Sequence, residues 1–498
     1  MKRLLAAAAA TLGLALAFAA AAAPPVTTES GQLRGVDTGK VVKYKGIPYA
    51  APPVGALRWA PPAPPAAWRG VRDASTYGAI CPQPTRPHVK LAAGSSGKQS
   101  EDCLFLNVWA PKGASRAPVM VWIHGGAFRF GSGESPFYSG WTFARDGVVL
   151  VTINYRLGAL GWFAHPALTR AAAPGAPLGD YGLMDQIAAL KWVARNIAAF
   201  GGDPENVTVF GESAGGASVL ALLATPSAAG LFQKAIVESG GGWGTNRTLA
   251  AAEQEGVRIS GLPAGATVDQ LRALPLDKLS ALPMTLSAVG PITDGRLMPL
   301  PVTQAFDEGR FAHVPMIIGS NSDEASLMKA FKIPSQAVLA RTPPTIRAQY
   351  TKNDNAAAAD IFTDSIMGAP AEWIAARASV WAPTWLYYFD YAPTISRDQT
   401  AGAIHGGEIP FVFGNWRTIA GVAATAEDDA LAAAAHACWV DFATSGRPAC
   451  DGDAWAPFSP ATDAPMEFGE VSGLRPGFRE ARYNALDKAL LPIFLGRR

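Results

Sequence analysis

The sequence predicts an α/β protein with a mostly parallel central sheet and helices on both faces of that sheet. Short apolar runs rich in β-branched and aromatic residues recur between Gly, Pro and Ser turns, which is typical of buried strands. Helical segments alternate with these runs, and that order produces parallel strands covered on both faces. Hydrophobic residues make up 49% of the 498 residues and charged residues 16%, so the chain can bury a large core.

Residues 1–23 are set apart from the rest of the chain. Lys2 and Arg3 precede an Ala/Leu-rich stretch that ends in an alanine run before two prolines, which is the order of a secretory signal peptide. We expect cleavage near residues 21–23 and export to the periplasm or the extracellular space. The alternative is an uncleaved membrane anchor, since about 20 apolar residues can span a bilayer.

The elements that follow can be assigned in order. Residues 31–50 predict an antiparallel hairpin, and the proline-rich residues 51–67 predict an irregular surface segment. A helix is predicted over 184–200, where two glycines end it, directly before a strand at 207–210. Further strands are predicted at 104–109, 119–123, 148–154, 234–238, 314–319 and 385–391.

Residues 24–498 are expected to form a single domain with insertions. The segments at about 240–315 and 325–383 have weaker strand signals and more amphipathic helix than the rest. Open α/β sheets keep their sites at the carboxyl ends of the strands. We therefore expect both segments to form cap-like insertions over that edge.

Charge and cysteine content exclude several classes of function. Removal of the signal peptide leaves 40 basic against 40 acidic residues, so neither nucleic acid nor an anionic membrane surface is an expected partner. Local disulfides, Cys81 to Cys103 and Cys438 to Cys450, are preferred in an exported chain over free buried cysteines. The cysteine spacing does not match a zinc site, and neither a metal nor a cofactor is expected.

Ser213 is the candidate nucleophile. It follows the predicted strand at 207–210 and precedes small residues that can open a helix. Gly211 and Gly215 complete a G-x-S-x-G pattern, in which a sharp strand-to-helix turn exposes the serine hydroxyl. The alternative is an ordinary Gly/Ser turn in a chain with 51 glycines.

A serine hydroxyl needs a base to become nucleophilic at neutral pH. Where the serine lies on such an elbow, the acid and then the histidine follow it along the chain, which leaves His313, His405 and His436. His436 lies on a predicted helix, where a histidine is usually structural, and His313 leaves no room for an acid after a strand. His405 lies on a glycine-flanked loop after a strand and is the candidate base, against the alternative of a surface loop histidine.

The candidate acid is one of two adjacent carboxylates, Asp323 and Glu324. Both follow the predicted strand at 314–319, where the side chain that holds the imidazole tautomer is expected. Residue chemistry alone does not separate them.

Donors for a developing oxyanion are expected after the strand at 119–123. The glycine-rich segment 124–128 allows its backbone to approach a ligand closely. Its N–H groups, together with that of Ala214, would supply three donors. A simple glycine turn is the alternative.

With these motifs, the chain resembles the type-B carboxylesterases, the family that includes cholinesterases and bacterial para-nitrobenzyl esterases. The resemblance covers essentially the whole mature chain and implies an α/β-hydrolase fold. The matching segments, besides the serine elbow, are 44–50, 100–109, 154–156, 200–204 and 238–241.

The resemblance implies a role for each site residue. It selects Glu324 over Asp323 as the acid, with His405 as base and Ser213 as nucleophile. It implies Gly126, Ala127 and Ala214 as the oxyanion donors, with Ala127 standing where many members have a third glycine. It also supports the Cys81 to Cys103 disulfide.

Two departures from cholinesterases concern the substrate. Residues 82–102 contain no aromatic side chain, whereas cholinesterases carry a choline-binding tryptophan in this loop, so choline specificity is not expected. Thr285, Leu286, Ser287 and Ala288 replace the aromatic acyl-pocket residues, which implies a roomier pocket.

The predicted function is hydrolysis of small carboxylic esters through an acyl-enzyme. The same triad could serve an amidase or a lipase, because the pocket selects the leaving group. A non-catalytic binding protein on this scaffold is the other alternative, but such proteins typically lose the serine or the histidine.

Overall fold

The computed structural model describes residues 21–84, 97–244, 247–282, 288–417, 424–450 and 455–497. Most of the predicted signal peptide, residues 1–20, lies outside the described residues. Its presence and its cleavage therefore stay predictions.

The described residues form a twelve-stranded sheet and a separate three-stranded sheet. The strands are β1 Ala21–Ala22, β2 Val26–Thr28, β3 Gly31–Arg34, β4 Val36–Asp37, β5 Val41–Pro48, β6 Val71–Asp73, β7 Phe105–Pro111, β8 Ala117–Ile123, β9 Val149–Ile153, β10 Gly202–Glu212, β11 Lys234–Glu238, β12 Met316–Asn321, β13 Thr384–Phe389, β14 Met466–Phe468 and β15 Gly473–Leu474.

The large sheet has the order β1-β4-β5-β7-β9-β8-β10-β11-β12-β13-β14-β15, and the small sheet has the order β2-β3-β6. The seven strands from β9 to β14 across the large sheet are parallel to their neighbours. Strand pairs at the two ends of the large sheet are antiparallel. This arrangement confirms the predicted mostly parallel sheet.

The helices of the described residues are α1 Trp141–Arg145, α2 Gly158–Gly161, α3 Pro166–Ala171, α4 Tyr181–Asn196, α5 Ala214–Leu223, α6 Leu249–Ser260, α7 Val268–Arg272, α8 Leu276–Ala281, α9 Val302–Asp307, α10 Ser326–Phe331, α11 Ser335–Leu339, α12 Pro344–Arg347, α13 Asp354–Thr363, α14 Ala369–Ala378, α15 Ile409–Val412, α16 Ala426–Ser445 and α17 Glu480–Phe494. A π-helical segment, Asp364–Gly368, joins α13 to α14.

The core lies on both faces of the sheet, because alternate residues of a central strand point to opposite sides. In β8, Val121 belongs to one buried cluster that includes Leu190 of α4. Its neighbour Trp122 belongs to a second cluster that includes Trp439 of α16. The continuous apolar runs of the sequence therefore correspond to strands buried on both faces.

The predicted elements agree with the structure within a few residues. The six other predicted strands correspond to β7, β8, β9, β11, β12 and β13, while the strand expected at 207–210 is part of β10 and begins earlier, at Gly202. The expected helix corresponds to α4 and a 3₁₀ turn, Ile197–Phe200, which ends at Gly201 with φ of 83°. Strands β4 and β5 form the predicted hairpin, and the proline-rich segment contains one 3₁₀ turn and no described strand.

The segments after β11 and after β12 consist mainly of short helices. Helices α6 to α9 lie between β11 and β12, and helices α10 to α14 lie between β12 and β13. Both connections leave the carboxyl end of a parallel strand, where a substrate site is expected. Their assignment as cap-like insertions of a single domain stays a prediction.

Both expected disulfides are present in the structure. Cys81 is bonded to Cys103, and Cys438 is bonded to Cys450. Structural disulfides are typical of oxidising compartments, so this finding is consistent with an exported protein. Within the described ranges, no helix combines the length and the apolar character needed to span a membrane.

Candidate active site

Ser213 lies on a strained turn between β10 and α5. Its φ of 57° and ψ of −121° belong to a sparsely populated region for a non-glycine residue, at a cost of about 1–3 kcal/mol. Glycine is required on both sides of it, since a Cβ at Gly215 would lie 2.0 Å from the carbonyl oxygen of Ile123 and one at Gly211 would lie 2.6 Å from the same oxygen. The G-x-S-x-G pattern therefore allows the end of β10 and the start of α5 to pack against β8.

His405 and Glu324 meet beyond the carboxyl end of β12. The imidazole Nδ1 of His405 forms a short hydrogen bond with Glu324 Oε2. The other oxygen of Glu324 accepts hydrogen bonds from the Asn321 N–H at 2.8 Å and the Ser239 hydroxyl at 2.5 Å. Glu324 is fully buried, so its contacts hold both its own orientation and that of the imidazole.

Asp323 occupies a different position from its neighbour. Its N–H donates to the carbonyl of Ala403 at 2.8 Å, and its backbone pairs with Ile404, directly before His405. Burial raises the pKa of the Asp323 carboxyl to about 6. Asp323 thus braces the histidine loop through its backbone, while the Glu324 side chain contacts the imidazole.

The second ring nitrogen of His405 faces the elbow. Its Nε2 lies 3.0 Å from Glu212 Oε1, and Glu212 directly precedes Ser213. Among the described residues, the structure contains no hydrogen bond between the Ser213 hydroxyl and the imidazole. Hydrogen bonds of this kind are often long without substrate and shorten in the reacting complex.

The electrostatics of the site couple His405 to two carboxylates. Burial lowers the pKa of His405, but the charges of Glu212 and Glu324 outweigh it, and the net shift is upward. Burial also raises the pKa of the Glu212 carboxyl to about 7; the charge on His405 opposes this shift and Glu324 adds to it. The protonation of the imidazole therefore depends on Glu212 as well as on Glu324.

Two further buried glutamates lie behind Glu212. Burial raises the pKa of Glu238 to about 8, while a 2.8 Å hydrogen bond from the Trp439 indole opposes this shift. Burial raises the pKa of Glu408 well above its usual value, and the charges of Glu212 and Glu238 add to the shift. The Glu238 carboxyl therefore favours its neutral form at neutral pH, and the shift at Glu408 acts in the same direction, which limits the negative charge near the site.

The segment after β8 lies on the other side of Ser213 from His405. Gly126, Ala127 and Phe128 have positive φ values of 105°, 53° and 58°. The N–H groups of Gly126, Ala127 and Ala214 donate no hydrogen bond to any described residue. A Cβ on Gly125 would lie 3.1 Å from the Ser213 Cβ, so the turn lies directly against the serine. These N–H groups are therefore available to an oxygen atom bound beside Ser213.

His124 supports that turn. It is fully buried and stacks on Tyr155 with ring centroids 4.5 Å apart. Burial lowers the pKa of His124 to about 4, although a hydrogen bond to Gly125 opposes the shift, so the ring is neutral at pH 7. Its Nδ1–H donates to the carbonyl of Gly125 at 2.8 Å, which fixes the start of the turn.

The structure thus brings together Ser213, His405, Glu324 and the three expected N–H groups. Sequence reasoning missed Glu212, Ser239, Glu408 and His124 as members of the site. Glu212, Ser239 and His124 belong to motif segments of the sequence and Glu408 lies three residues after His405, but their contacts come from separate parts of the fold and are invisible along the chain. Of the residues discussed for substrate preference, 285–287 and 85–96 lie outside the described residues.

The chain is similar to known proteins over most of its length. A family model described as the carboxylesterase family matches residues 22–485. The para-nitrobenzyl esterase of Bacillus subtilis is 38% identical over 470 residues, which cover 88% of this chain and 93% of that protein. The fumonisin B1 esterase of Sphingopyxis macrogoltabida is 39% identical over 459 residues, which cover 84% of this chain and 82% of that protein.

Solved structures give the same result. A carboxylesterase of Geobacillus stearothermophilus is 35% identical and has a TM-score of 0.82, with 93% of this chain and 99% of that chain covered. A para-nitrobenzyl esterase structure has the same TM-score at 34% identity. The chain therefore belongs to the carboxylesterase family and is a carboxylic ester hydrolase with an α/β-hydrolase fold.

Proposed function

We propose that Ser213, His405 and Glu324 form the catalytic triad of a serine carboxylesterase. The observation that carries this proposal is the position of Ser213 on a strained turn. The His405 ring lies on one side of this turn, and on the other side are three N–H groups that donate to no described residue. The hydrogen bond from His405 to buried Glu324 supplies the orienting acid. Gly126, Ala127 and Ala214 are the proposed oxyanion donors.

In the proposed reaction, the Ser213 hydroxyl attacks the ester carbonyl while Nε2 of His405 takes its proton. Glu324 keeps the other proton of the ring on Nδ1 and stabilises the imidazolium. The N–H groups bind the negatively charged oxygen of the tetrahedral intermediate. His405 then gives its proton to the departing alcohol oxygen, and water hydrolyses the acyl-enzyme by the same route in reverse.

To take the proton of Ser213, Nε2 of His405 must give up its contact with Glu212. In the structure, His405 Nε2 lies 3.0 Å from Glu212 Oε1. Ser213, which carries the reacting hydroxyl, is the residue directly after Glu212. We propose that rotation of the ring exchanges one partner for the other, since catalytic hydrogen bonds often form only in the reacting complex. Glu212 then lies beside the imidazolium in the intermediate and stabilises its charge.

The substrates we propose are small carboxylic esters rather than choline esters. The named relatives hydrolyse para-nitrobenzyl and fumonisin esters, which supports a site tolerant of varied ester groups. Export is part of this proposal: residues 1–23 act as a cleaved signal peptide, and the two disulfides form in the periplasm or outside the cell.

Covalent labelling tests the nucleophile directly. A fluorophosphonate probe should modify the protein once, at Ser213, because only an activated serine displaces fluoride at neutral pH. Mass spectrometry of the digested protein locates the adduct. A preparation that hydrolyses para-nitrophenyl butyrate but carries the adduct on another residue would place the nucleophile elsewhere.

The pH dependence tests His405 as the base. Glu212→Gln removes a carboxylate that favours the imidazolium, so the pKa of His405 should fall by roughly one unit. The neutral base then persists to lower pH, and the acidic limb of the kcat/KM profile should shift downward by the same amount. The profiles of the wild type and of a Glu205→Gln control, at an exposed site on β10, make the comparison. An upward shift or an unchanged limb in Glu212→Gln would contradict this role.

A further inference from the structure

A cavity of about 190 Å³ lies beside the elbow, apart from the histidine. It is lined by Phe128, Ala217, Ala221, Arg247, Val289 and Gly290, among others. Phe128 directly follows the proposed oxyanion donors, and the N–H of Ala217 donates to the Ser213 carbonyl at 2.8 Å. The volume is below the roughly 300–1,000 Å³ of sites that enclose a whole ligand, so it suits one part of a substrate.

The strand order shows which part of an ester points toward this cavity. Strands β8, β10, β11 and β12 are successive neighbours in the sheet, so the segment after β8 and the residues after β12 lie on opposite sides of Ser213. Phe128 lies in the segment after β8. His405 is held by the residues after β12, because its ring bonds Glu324 and the preceding Ile404 pairs with Asp323. Because His405 must protonate the departing alcohol, the alcohol lies toward β12. The acyl group then extends toward Phe128 and the cavity.

Arg247 is the charged group in the lining of this cavity. Its guanidinium is largely buried, and its one hydrogen bond to a described residue runs from Nη2 to the Gly290 carbonyl at 2.8 Å. A guanidinium has five N–H donors, and a buried charge without an ionic partner is costly. The other lining residues are mainly apolar, so they provide no anion for it.

Two acidic side chains act on Arg247, and neither is bonded to it. Burial raises the pKa of the Asp180 carboxyl well above its usual value, which disfavours its ionised form, and its Oδ1 accepts a 2.9 Å hydrogen bond from the Ile292 N–H. Glu255 already forms an ion pair with Arg258 on the surface of α6. Arg247 therefore forms no ion pair with a described residue, and its positive charge is available to a bound anion.

We propose that the cavity receives the acyl part of the ester and that Arg247 binds a carboxylate at its far end. The preferred substrates are then half-esters of short dicarboxylic acids. This inference rests on the proposed triad, because the triad defines which side of the ester enters the cavity. Arg247 is a specificity-determining residue in this scheme and takes no part in bond cleavage.

Matched substrates test the inference without any variant. Monoethyl esters of succinic, glutaric and adipic acid are compared with the ethyl esters of the corresponding monoamides, which have the same size and no charge. Hydrolysis is followed by titration of the released acid at pH 7.5. We expect kcat/KM of the wild type to favour at least one charged ester by about tenfold, the value of a hydrogen bond to a charged group. Equal rates for every pair would overturn the proposal.

Variants identify the residue responsible. Arg247→Met should lower kcat/KM of the charged ester to that of its uncharged partner, so that the preference of about tenfold is lost. Arg247→Lys should keep part of the preference for the charged ester. The control Arg310→Met, which removes an exposed ion pair with Glu308, should keep the whole preference. Retention of the full preference in Arg247→Met would assign it to another group.

Inhibition gives a second readout that does not depend on turnover of the charged ester. Free glutarate should inhibit hydrolysis of ethyl butanoate by the wild type about tenfold more strongly than glutaramate does. Equal inhibition would contradict a carboxylate site. Failure of the wild type to hydrolyse any neutral ester would instead speak against the proposed triad, so the two proposals fail in different ways.

Discussion

Replacement of Ser213 by alanine is expected to lower kcat for para-nitrophenyl butyrate by about 10⁴- to 10⁶-fold. Without the hydroxyl no acyl-enzyme forms, and only the oxyanion donors and substrate binding remain to assist attack by water. Alanine should keep the strained backbone, because packing of Gly211 and Gly215 against β8 imposes the φ of 57°. The variant should therefore fold and unfold like the wild type.

A matched control separates loss of chemistry from loss of structure. Ser218 lies on the same helix, α5, and its buried hydroxyl donates to the Ala214 carbonyl at 2.9 Å. Ser218→Ala removes a hydroxyl of the same kind with no reacting role, so its kcat should stay within about threefold. Its unfolding free energy should fall by about 1–3 kcal/mol, because the Gln186 amide that donates to this hydroxyl at 3.0 Å loses its acceptor. More than a tenth of wild-type kcat in Ser213→Ala, with circular dichroism unchanged, would refute Ser213 as nucleophile.

Much of the fold follows from local patterns in the chain. The seven predicted strands are found because each is a short run of apolar, β-branched or aromatic residues next to turn residues. Strands buried on both faces show this signal without any information about their neighbours in the sheet. The exact ends of the strands are set instead by hydrogen bonding to neighbouring strands. Residues 202–206 join β10 through a shifted register beside Ala117, and no local pattern in this charged stretch indicates a strand.

The site was predictable only where one segment carries the whole signal. The elbow at Ser213 is such a segment, since strand, strained turn and helix follow one another directly. The environment of His405 is not, because Glu212, Glu324 and Ser239 reach it from the ends of three strands. The position of Arg247 could not be predicted either, because the residues that line its cavity are far apart in the sequence.

Asp323 and Glu324 give the sharpest case of this limit. Two adjacent carboxylates are equivalent as residue types, and successive side chains leave the backbone in different directions. In the structure Glu324 Oε2 bonds the His405 ring, while the Asp323 backbone pairs with Ile404. Residue chemistry therefore leaves the acid open, the family resemblance selects Glu324, and the physical reason for that choice is a contact visible only in the folded chain.

Glu324→Gln is expected to lower kcat by about 10³- to 10⁴-fold, since loss of the acid of a triad costs somewhat less than loss of the serine. The amide retains the shape of the side chain but no longer stabilises the imidazolium, and it can present an N–H to the ring and favour the wrong tautomer. Asp323→Asn should change kcat less than tenfold, because its N–H bond to Ala403 remains. Stopped-flow measurement of both acylation and deacylation tests whether the two steps slow together, as one shared base requires.

The pair of variants decides between the two carboxylates because each serves as the other's control. Both substitutions remove one negative charge from the same loop and keep side-chain volume, so a general electrostatic effect would slow them equally. A much larger loss in Glu324→Gln follows only if that carboxylate acts through its hydrogen bond to His405. If Asp323→Asn were the more damaged enzyme, the loop would have to rearrange in solution to bring Asp323 to the imidazole, and the proposed triad would be wrong.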